Sequence, residues 1–301
     1  MQPKVKNAWK QVDGVLLLDK AVGISSNDAL QKARRLFSAA KGGHTGTLDP
    51  LASGLLPLCF GEATKFSADL LDADKTYEAE LVLGVTTDSG DAEGRVTATA
   101  AVDVVEGNVR RVLPAFLGDI AQVPPMHSAL KRDGRPLYEL ARQGLEVERA
   151  PRAVTIHALE LLAFAGDRLR LRVTCSKGTY IRVLASDIGQ VIGCGAHLGA
   201  LRRTRVGDLD LTRAVTLAEL EVGDEAARFA NLLPVDALLR GLPMIDLDGD
   251  AAVRFRHGNP VACTPGTSGK RRVYVAGRLV GIGEYVEDGR LWPKRLVQLA
   301  D

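Results

Sequence analysis

The stretch from residue 42 to residue 60 constrains the fold more than any other part of the chain. It reads GGHTGTLDPLASG and continues into the apolar run LLPLCF. Glycines let a backbone approach a ligand closely, and Pro50 keeps the residue before it out of helical conformation. The pattern predicts an outward-facing Asp49 on a tight loop, followed by a strand through Phe60. On its own, the pattern is equally typical of a turn whose aspartate caps a backbone amide.

Apolar periodicity elsewhere indicates both strands and helices. Residues 14–18 form a short apolar run, and residues 77–83 alternate between apolar and polar, as in a half-buried strand. Helical spacing predicts one helix at about 27–38 and another at about 180–192. Short strands follow residue 247, so we expect an α+β fold with a larger domain at 1–246 and a small β module at 247–301.

A polar, basic insertion interrupts the larger domain at about 124–152. Two prolines open it, and the sequence SALKRDGRP follows soon after. Long insertions of this kind are usually functional or disordered.

Composition narrows the class of protein. Apolar residues make up 46% and charged residues 25%, which is typical of a globular protein. No apolar run approaches the roughly 20 residues that span a bilayer, and no signal-peptide pattern opens the sequence. The four cysteines are scattered without a CxxC pair, so we expect a cytoplasmic protein with reduced thiols and no zinc site.

The net charge of +2 conceals a strong asymmetry along the chain. Residues 149–213 hold 11 Lys and Arg against 5 Asp and Glu, and residues 251–301 hold 9 against 4. Residues 69–119 hold 4 against 11. This division favours a basic face suited to a phosphate backbone, although charges that cancel in the folded protein would give the same counts.

Several blocks of sequence together resemble one known family. The segment GGHTGTLDPLASGLLPLCFGEATKFS is similar to the catalytic motif of the TruB family of tRNA pseudouridine synthases. Further similar blocks, in the family's order, are GVLLLDK, DKTYEA, PPMHSALK and SKGTYIR. One departure is Ala21, where the family usually has proline, and it affects that turn alone.

The resemblance implies a fold, an activity and a substrate. It implies a large mixed, mainly antiparallel sheet flanked by helices, followed by a PUA-like, barrel-like RNA-binding module. It also implies that the insertion at about 124–152 closes over RNA. The implied reaction is the isomerisation of the T-loop uridine at tRNA position 55, without a metal or other cofactor. The implied partner is the T-arm of tRNA, and we expect a monomer that needs no protein partner.

The chemistry assigns roles to three residues. Breaking and remaking a glycosidic bond needs a carboxylate that acts as nucleophile or base, and Asp49 is the candidate. A carboxylate that stays ionised in a partly dry pocket needs a nearby cation, and the family pattern places Arg182 there. The uridine must be flipped out of its stack, and Tyr77 is the candidate stacking platform and proton acceptor from C5. Arg182 could instead be a surface residue, and Tyr77 a core residue at a strand end.

Other residues are expected to bind the substrate. His44 would occupy the space left in the RNA loop or contact a neighbouring nucleotide, while Tyr180 and Leu201 would line the pocket. Phosphate contacts are expected from Lys20, Lys131, Arg132, Arg202, Arg203 and Arg205.

Three rival functions are compatible with parts of the sequence. Ser128 and Lys131 match the SxxK pattern of penicillin-binding enzymes, but the second and third elements of that set are missing or reversed. A non-catalytic RNA-binding or RNA-folding module would explain the basic segments but not the aspartate loop. Guide-RNA-dependent relatives share the Asp49 block, work through partner proteins and generally lack the insertion at 124–152.

Overall fold

The computed structural model describes residues 9–128, 130–132, 134–262 and 268–298, and for residues 131, 136 and 142 it describes the backbone alone. The strands within these ranges are β1 (Gly14–Lys20), β2 (Gly42–His44), β3 (Ala52–Phe60), β4 (Lys75–Leu83), β5 (Val85–Thr87), β6 (Val96–Thr99), β7 (Gly118–Gln122), β8 (Lys131–Arg132), β9 (Arg135–Pro136), β10 (Arg152–Ala165), β11 (Arg168–Cys175), β12 (Ala196–Val206), β13 (Leu209–Asp210), β14 (Leu232–Leu233), β15 (Met244–Asp246), β16 (Val261–Ala262), β17 (Gly269–Val275), β18 (Arg278–Tyr285) and β19 (Arg290–Leu296). The α-helices are α1 (Ser26–Leu36), α2 (Ser67–Leu71), α3 (Glu106–Val112), α4 (Leu137–Arg142), α5 (Ile181–Ile192), α6 (Leu217–Val222), α7 (Glu225–Ala230) and α8 (Gly249–Arg256). Short 3-10 helices cover Gly61–Phe66, Leu113–Phe116, Leu211–Arg213 and Val235–Leu239.

A ten-stranded sheet organises the larger part of the chain. Its main path runs β14-β1-β3-β12-β4-β11-β10-β7, with β2 and β13 attached at its side. Neighbouring strands are antiparallel except β12, which is parallel to β3 and antiparallel to β4 within the described residues. This confirms the expected large mixed, mainly antiparallel sheet. Strand β12 lies between β3 and β4. The strand after Asp49 and the strand that carries Tyr77 are therefore separated by β12 alone.

Helices cover the sheet and form two separate cores. Helix α1 begins at Ser25, whose side chain accepts a hydrogen bond from the Asp28 amide, and it buries Leu30 and Ala33. Helix α5 packs its apolar side, including Ile188, into a second core with β11. Truncating a buried Leu or Ile to alanine at such positions costs about 2–5 kcal/mol. Tyr77 and Leu201 are partly buried against both cores, at the place where they meet.

The C-terminal residues form a small β module, as expected. Five strands are ordered β15-β17-β18-β19-β16 around a core that includes Phe255 and Val273. The module is docked on the larger sheet, because Ile282 packs into the cluster that contains Val15. Ion pairs join the two parts as well, with Lys270 Nζ 2.7 Å from Asp69 Oδ1.

The basic face expected from residues 149–213 is largely neutralised by neighbouring carboxylates. Arg168 Nη1 lies 3.0 Å from Glu80 Oε1, and Arg172 Nη2 lies 3.2 Å from Glu78 Oε1. The charge counts were misleading because β11 pairs directly with β4, which belongs to the acidic window. Exposed pairs of this kind contribute little to stability, but they remove free positive charge from the face.

Candidate active site

The loop that carries Asp49 connects β2 to β3 and is held on both sides of the aspartate. Ser26 Oγ accepts a hydrogen bond from the Leu48 amide at 2.7 Å and donates one to the Leu48 carbonyl at 2.9 Å. On the other side, the Gly23 amide donates to the Pro50 carbonyl at 2.8 Å. The Asp49 side chain remains 46% exposed, so a restrained backbone presents a carboxylate to solvent.

Arg182 lies beside Asp49, in the first turn of α5. Its Nη2 is 3.1 Å from Asp49 Oδ2, and its own side chain is 7% exposed. The same guanidinium donates to the His127 carbonyl at 2.7 Å and to the Ser89 carbonyl at 3.3 Å. These carbonyls fix the orientation of the Arg182 guanidinium. The structure therefore places the predicted cation next to the predicted carboxylate.

Asp91 is a second carboxylate on Arg182 and was not predicted as a site residue. Its Oδ2 is 3.4 Å from Arg182 Nη1, and its side chain is 5% exposed. Asp91 Oδ1 accepts hydrogen bonds from Ser89 Oγ at 2.6 Å and from the Glu93 amide at 3.1 Å. Arg182 therefore bridges one buried and one half-exposed carboxylate. The sequence showed Asp91 within a DSGD turn, which carries no signal of this pairing.

The start of α5 is positioned by β7. Gln122 Oε1 accepts a hydrogen bond from the Tyr180 amide at 3.0 Å, and Gln122 Nε2 donates to the Tyr180 carbonyl at 3.3 Å. Gln122 is buried, so this contact holds Tyr180, two residues before Arg182, against the sheet. Gln122 was also missed, since a polar residue in a strand is usually a surface residue.

Arg203 supports the loop from within the protein. It is 1% exposed, and it donates to the Leu55 carbonyl at 2.8 Å and to the Gly46 carbonyl at 3.0 Å. Gly54, at a φ of +98°, allows this approach, because a Cβ there would lie 2.2 Å from the Arg203 carbonyl oxygen. The phosphate contact expected of Arg203 is not prepared in this structure, since its guanidinium is buried on backbone carbonyls.

Lys20 is likewise buried rather than available to a phosphate. Its Nζ donates to the Ala21 carbonyl at 2.9 Å and to the Ile24 carbonyl at 2.8 Å. Burial lowers the pKa of Lys20 to about 8, while the nearby Asp49 carboxylate acts in the opposite direction. Lys20 is therefore not available for the predicted phosphate contact in this structure, and its charge interacts with that of Asp49 instead.

The other cations expected to contact phosphate differ in their availability. Arg202 makes a two-pronged pair with Asp19 at 3.0 and 2.6 Å. Arg132 Nη1 donates to the Glu148 carbonyl at 2.6 Å, and Arg205 is exposed. The side chain of Lys131 lies outside the described part of the structure.

A cleft of about 290 Å³ opens in front of Asp49 and Arg182. The residues that line it include Asp49, Lys75, Tyr77, Ser128, Tyr180, Arg182, Leu201 and Arg203. The predicted pocket residues Tyr77, Tyr180 and Leu201 are thus brought together with the predicted carboxylate and its cation. A cleft of this size with an aromatic wall and a few polar groups is typical of a small-ligand or single-nucleotide site.

Tyr77 and His44 have perturbed protonation equilibria. Burial raises the pKa of Tyr77, and the Arg203 guanidinium opposes that rise. The phenol therefore keeps its proton at neutral pH, which favours stacking over proton removal from C5.

Burial, together with Arg203, lowers the pKa of His44, whose Nδ1 has no hydrogen-bond partner among the described residues. His44 is outside the lining of the cleft but lies on the strand that leads into the loop.

Two kinds of feature are absent from the described residues. They hold no group of three or more His, Cys, Asp or Glu placed to bind a metal ion. None of their helices is long and apolar enough to cross a membrane.

Models of known families match most of the chain. Residues 34–181 match the model of the TruB family pseudouridylate synthase N-terminal domain. Residues 182–240 match the tRNA pseudouridylate synthase B C-terminal domain, and residues 243–297 match the C-terminal model of pseudouridine synthase II TruB.

Similar proteins and structures agree with these matches. A tRNA pseudouridine synthase B of Dechloromonas aromatica is 74% identical over 98% of this chain and 99% of its own length. One of Aromatoleum aromaticum is 59% identical over 95% of this chain and 93% of its own. A chain from the crystal structure of an archaeal box H/ACA sRNP Nop10-Cbf5 complex is 26% identical, with a TM-score of 0.71 over 98% of this chain and 88% of its own.

Proposed function

Because the chain belongs to the TruB family of pseudouridylate synthases, we propose that it isomerises a uridine of tRNA to pseudouridine, at position 55 of the T-loop. One observation carries the proposal beyond family membership. A half-exposed carboxylate, Asp49, is paired with the buried Arg182 at the mouth of a cleft walled by Tyr77.

The proposed reaction uses Asp49 as nucleophile or base. The N1–C1′ bond of the uridine breaks, the detached uracil turns within the cleft, and a bond forms between C5 and C1′. The proton on C5 is lost while N1 gains one, so atoms and charge balance without an oxidant or a group donor. Arg182 supports this role because it fixes one oxygen of Asp49 and offsets its negative charge.

The cleft would hold the uridine after it leaves the stack of the T-loop. Unstacking costs a few kcal/mol, and stacking on an aromatic ring returns about 1–3 kcal/mol. Tyr77 is the proposed platform, with Tyr180 and Leu201 enclosing the detached uracil. His44 lies next to the loop, where a lowered pKa keeps it neutral beside Arg203.

Other parts of the chain would bind the rest of the RNA. The insertion at about 124–152 and the module at 247–301 are the proposed RNA-binding segments, with Arg132, Arg202 and Arg205 as the phosphate contacts. Arg202 would have to exchange its Asp19 pair for phosphate. We propose a monomer that acts on the T-arm alone, in the cytoplasm where tRNA is used, with no cofactor.

The rival functions have less support. The high identity is to tRNA pseudouridine synthases B, whereas the H/ACA complex shares 26% identity. A purely RNA-binding protein has no need for a carboxylate bridged to Arg182. As for a serine hydrolase, Ser128 Oγ has no hydrogen-bond partner among the described residues, so no described base activates it.

The test is the release of tritium from a tRNA transcript labelled at C5 of uracil, with purified protein and no added cofactor. We expect one tritium released per tRNA and none from a transcript in which cytidine replaces the uridine at position 55. Release from the substituted transcript would refute the assignment of the position, and no release from either would refute the activity.

A further inference from the structure

Ser128 carries a buried hydroxyl that makes no hydrogen bond within the described part of the chain. The residue is 5% exposed, and its Oγ has neither donor nor acceptor there. Its backbone, by contrast, is well held, because its amide donates to the Met126 carbonyl at 2.9 Å and its carbonyl accepts from the Tyr138 amide at 3.1 Å. A buried hydroxyl without a partner is unfavourable in the free protein, so its presence calls for another explanation.

The position of Ser128 relates this hydroxyl to the substrate. A second cavity, of about 570 Å³, adjoins the cleft in front of Asp49. Four residues border both spaces, namely Thr47, Asp49, Ser128 and Arg182. Ser128 also directly follows His127, whose carbonyl accepts a hydrogen bond from Arg182. Ser128 thus lies on the wall shared by both spaces, beside the reacting carboxylate.

The surroundings define what the hydroxyl can bind. The second cavity is also lined by Asp91 and Glu93, so a phosphate beside Ser128 would meet several negative charges. A neutral polar group meets no such penalty, and a serine hydroxyl can donate to it or accept from it. Rotation about χ1 among its staggered positions can turn the hydroxyl towards the cleft without moving the backbone.

We propose that Ser128 is a substrate-binding residue whose hydroxyl forms a hydrogen bond to a neutral polar group of the flipped nucleotide, either a uracil edge or a ribose hydroxyl. This inference rests on the proposed function. Thr45 provides a contrast, because its Oγ1 is also buried without a described partner but it lines neither space. An unpaired hydroxyl alone is therefore not the argument, and the shared wall is what points to the nucleotide.

The experiment compares wild type with Ser128→Ala in single-turnover reactions on a T-arm stem-loop. In Ser128→Ala, the substrate concentration that gives the half-maximal rate should rise roughly three- to tenfold, which corresponds to the loss of one neutral hydrogen bond. The maximal rate of the variant should stay within about twofold of that of wild type. The melting temperature should stay the same or rise, because the substitution removes an unsatisfied buried group. A purely structural role predicts the opposite change in stability.

Ser67→Ala is the matched control. Ser67 is the first residue of α2, and its hydroxyl donates a hydrogen bond to the Thr64 carbonyl at 3.0 Å. Ser67 lines neither of the two spaces. This variant should lose a little stability and leave the stem-loop reaction unchanged.

A stem-loop with a 2′-deoxy target uridine, used as a competitor, identifies the group that is bound. If Ser128→Ala weakens this competitor as much as the natural RNA, the partner is the uracil edge; if the effect disappears, it is the ribose hydroxyl. Unchanged half-maximal concentration in Ser128→Ala, or a lower melting temperature with reduced activity, would overturn the inference. An inactive wild type would instead refute the proposed function.

Discussion

Replacing Arg182 with methionine should reduce both stability and activity, for separable reasons. Asp91 is 5% exposed and would be left as an unpaired buried charge, whereas Asp49 is 46% exposed and would be solvated. Removing one partner of a buried pair costs about 3–5 kcal/mol, which corresponds to roughly 5–8 °C of melting temperature in a protein of this size. Activity should fall at least about a hundredfold, because Asp49 loses the group that orients it.

The double variant Arg182→Met/Asp91→Asn separates the two effects. An asparagine oxygen can still accept from Ser89 Oγ and the Glu93 amide, and no buried charge remains. Calorimetry should then show that the double variant recovers at least half of the decrease in melting temperature caused by Arg182→Met. Its tritium release should stay at the level of the single variant. A single variant as stable as wild type, or a double variant that regains activity, would refute the reasoning.

Three further predictions follow from the site and its surroundings. Tyr77→Phe should retain the affinity for the stem-loop, whereas Tyr77→Leu should bind it roughly five- to a hundredfold more weakly in a filter-binding assay. The reason is that an aromatic ring under the base contributes about 1–3 kcal/mol. Equal affinities of the two variants would exclude a stacking platform. Burial lowers the pKa of Lys75 to about 8 from an ordinary 10.5, so the unfolded chain binds the extra proton between these values and stability rises with pH there. Urea denaturation should show wild type gaining up to about 2 kcal/mol over Lys75→Met between about pH 8 and pH 10, and a flat difference would contradict the shift. Arg205→Gln and Arg132→Gln should each reduce the slope of log tRNA affinity against log salt concentration by about 0.7–0.9. Arg172→Gln should leave this slope unchanged, because Arg172 is already paired with Glu78 and Glu160.

The sequence predicted the parts of the site that depend on local pattern. The glycine-rich loop, the strand after it and the helix that carries Arg182 all lie where periodicity and turn residues placed them. Tyr77 at the start of its strand followed from alternation. The pairing of Asp49 with Arg182 came from the family resemblance, because no local rule relates residues so distant in sequence.

The missed features depend on tertiary contacts between distant segments. In the sequence, Asp91 belongs to a turn motif and Gln122 carries no signal of a site, and only the packing of α5 against the sheet brings Arg182 and Tyr180 to them. Lys20 and Arg203 were expected at the surface because long cations usually are. The structure buries both on backbone carbonyls, which no residue count reveals.

The most direct test of the account is pseudouridine formation by Asp49→Asn, measured together with tRNA affinity. The substitution removes the negative charge while preserving shape, and Asp49 is half exposed, so neither fold nor cleft should change. We predict no detectable pseudouridine in nuclease-digested tRNA after prolonged incubation, with a tRNA dissociation constant within a few-fold of wild type. Substantial turnover by Asp49→Asn, or loss of tRNA binding in a correctly folded variant, would contradict the central role of this carboxylate.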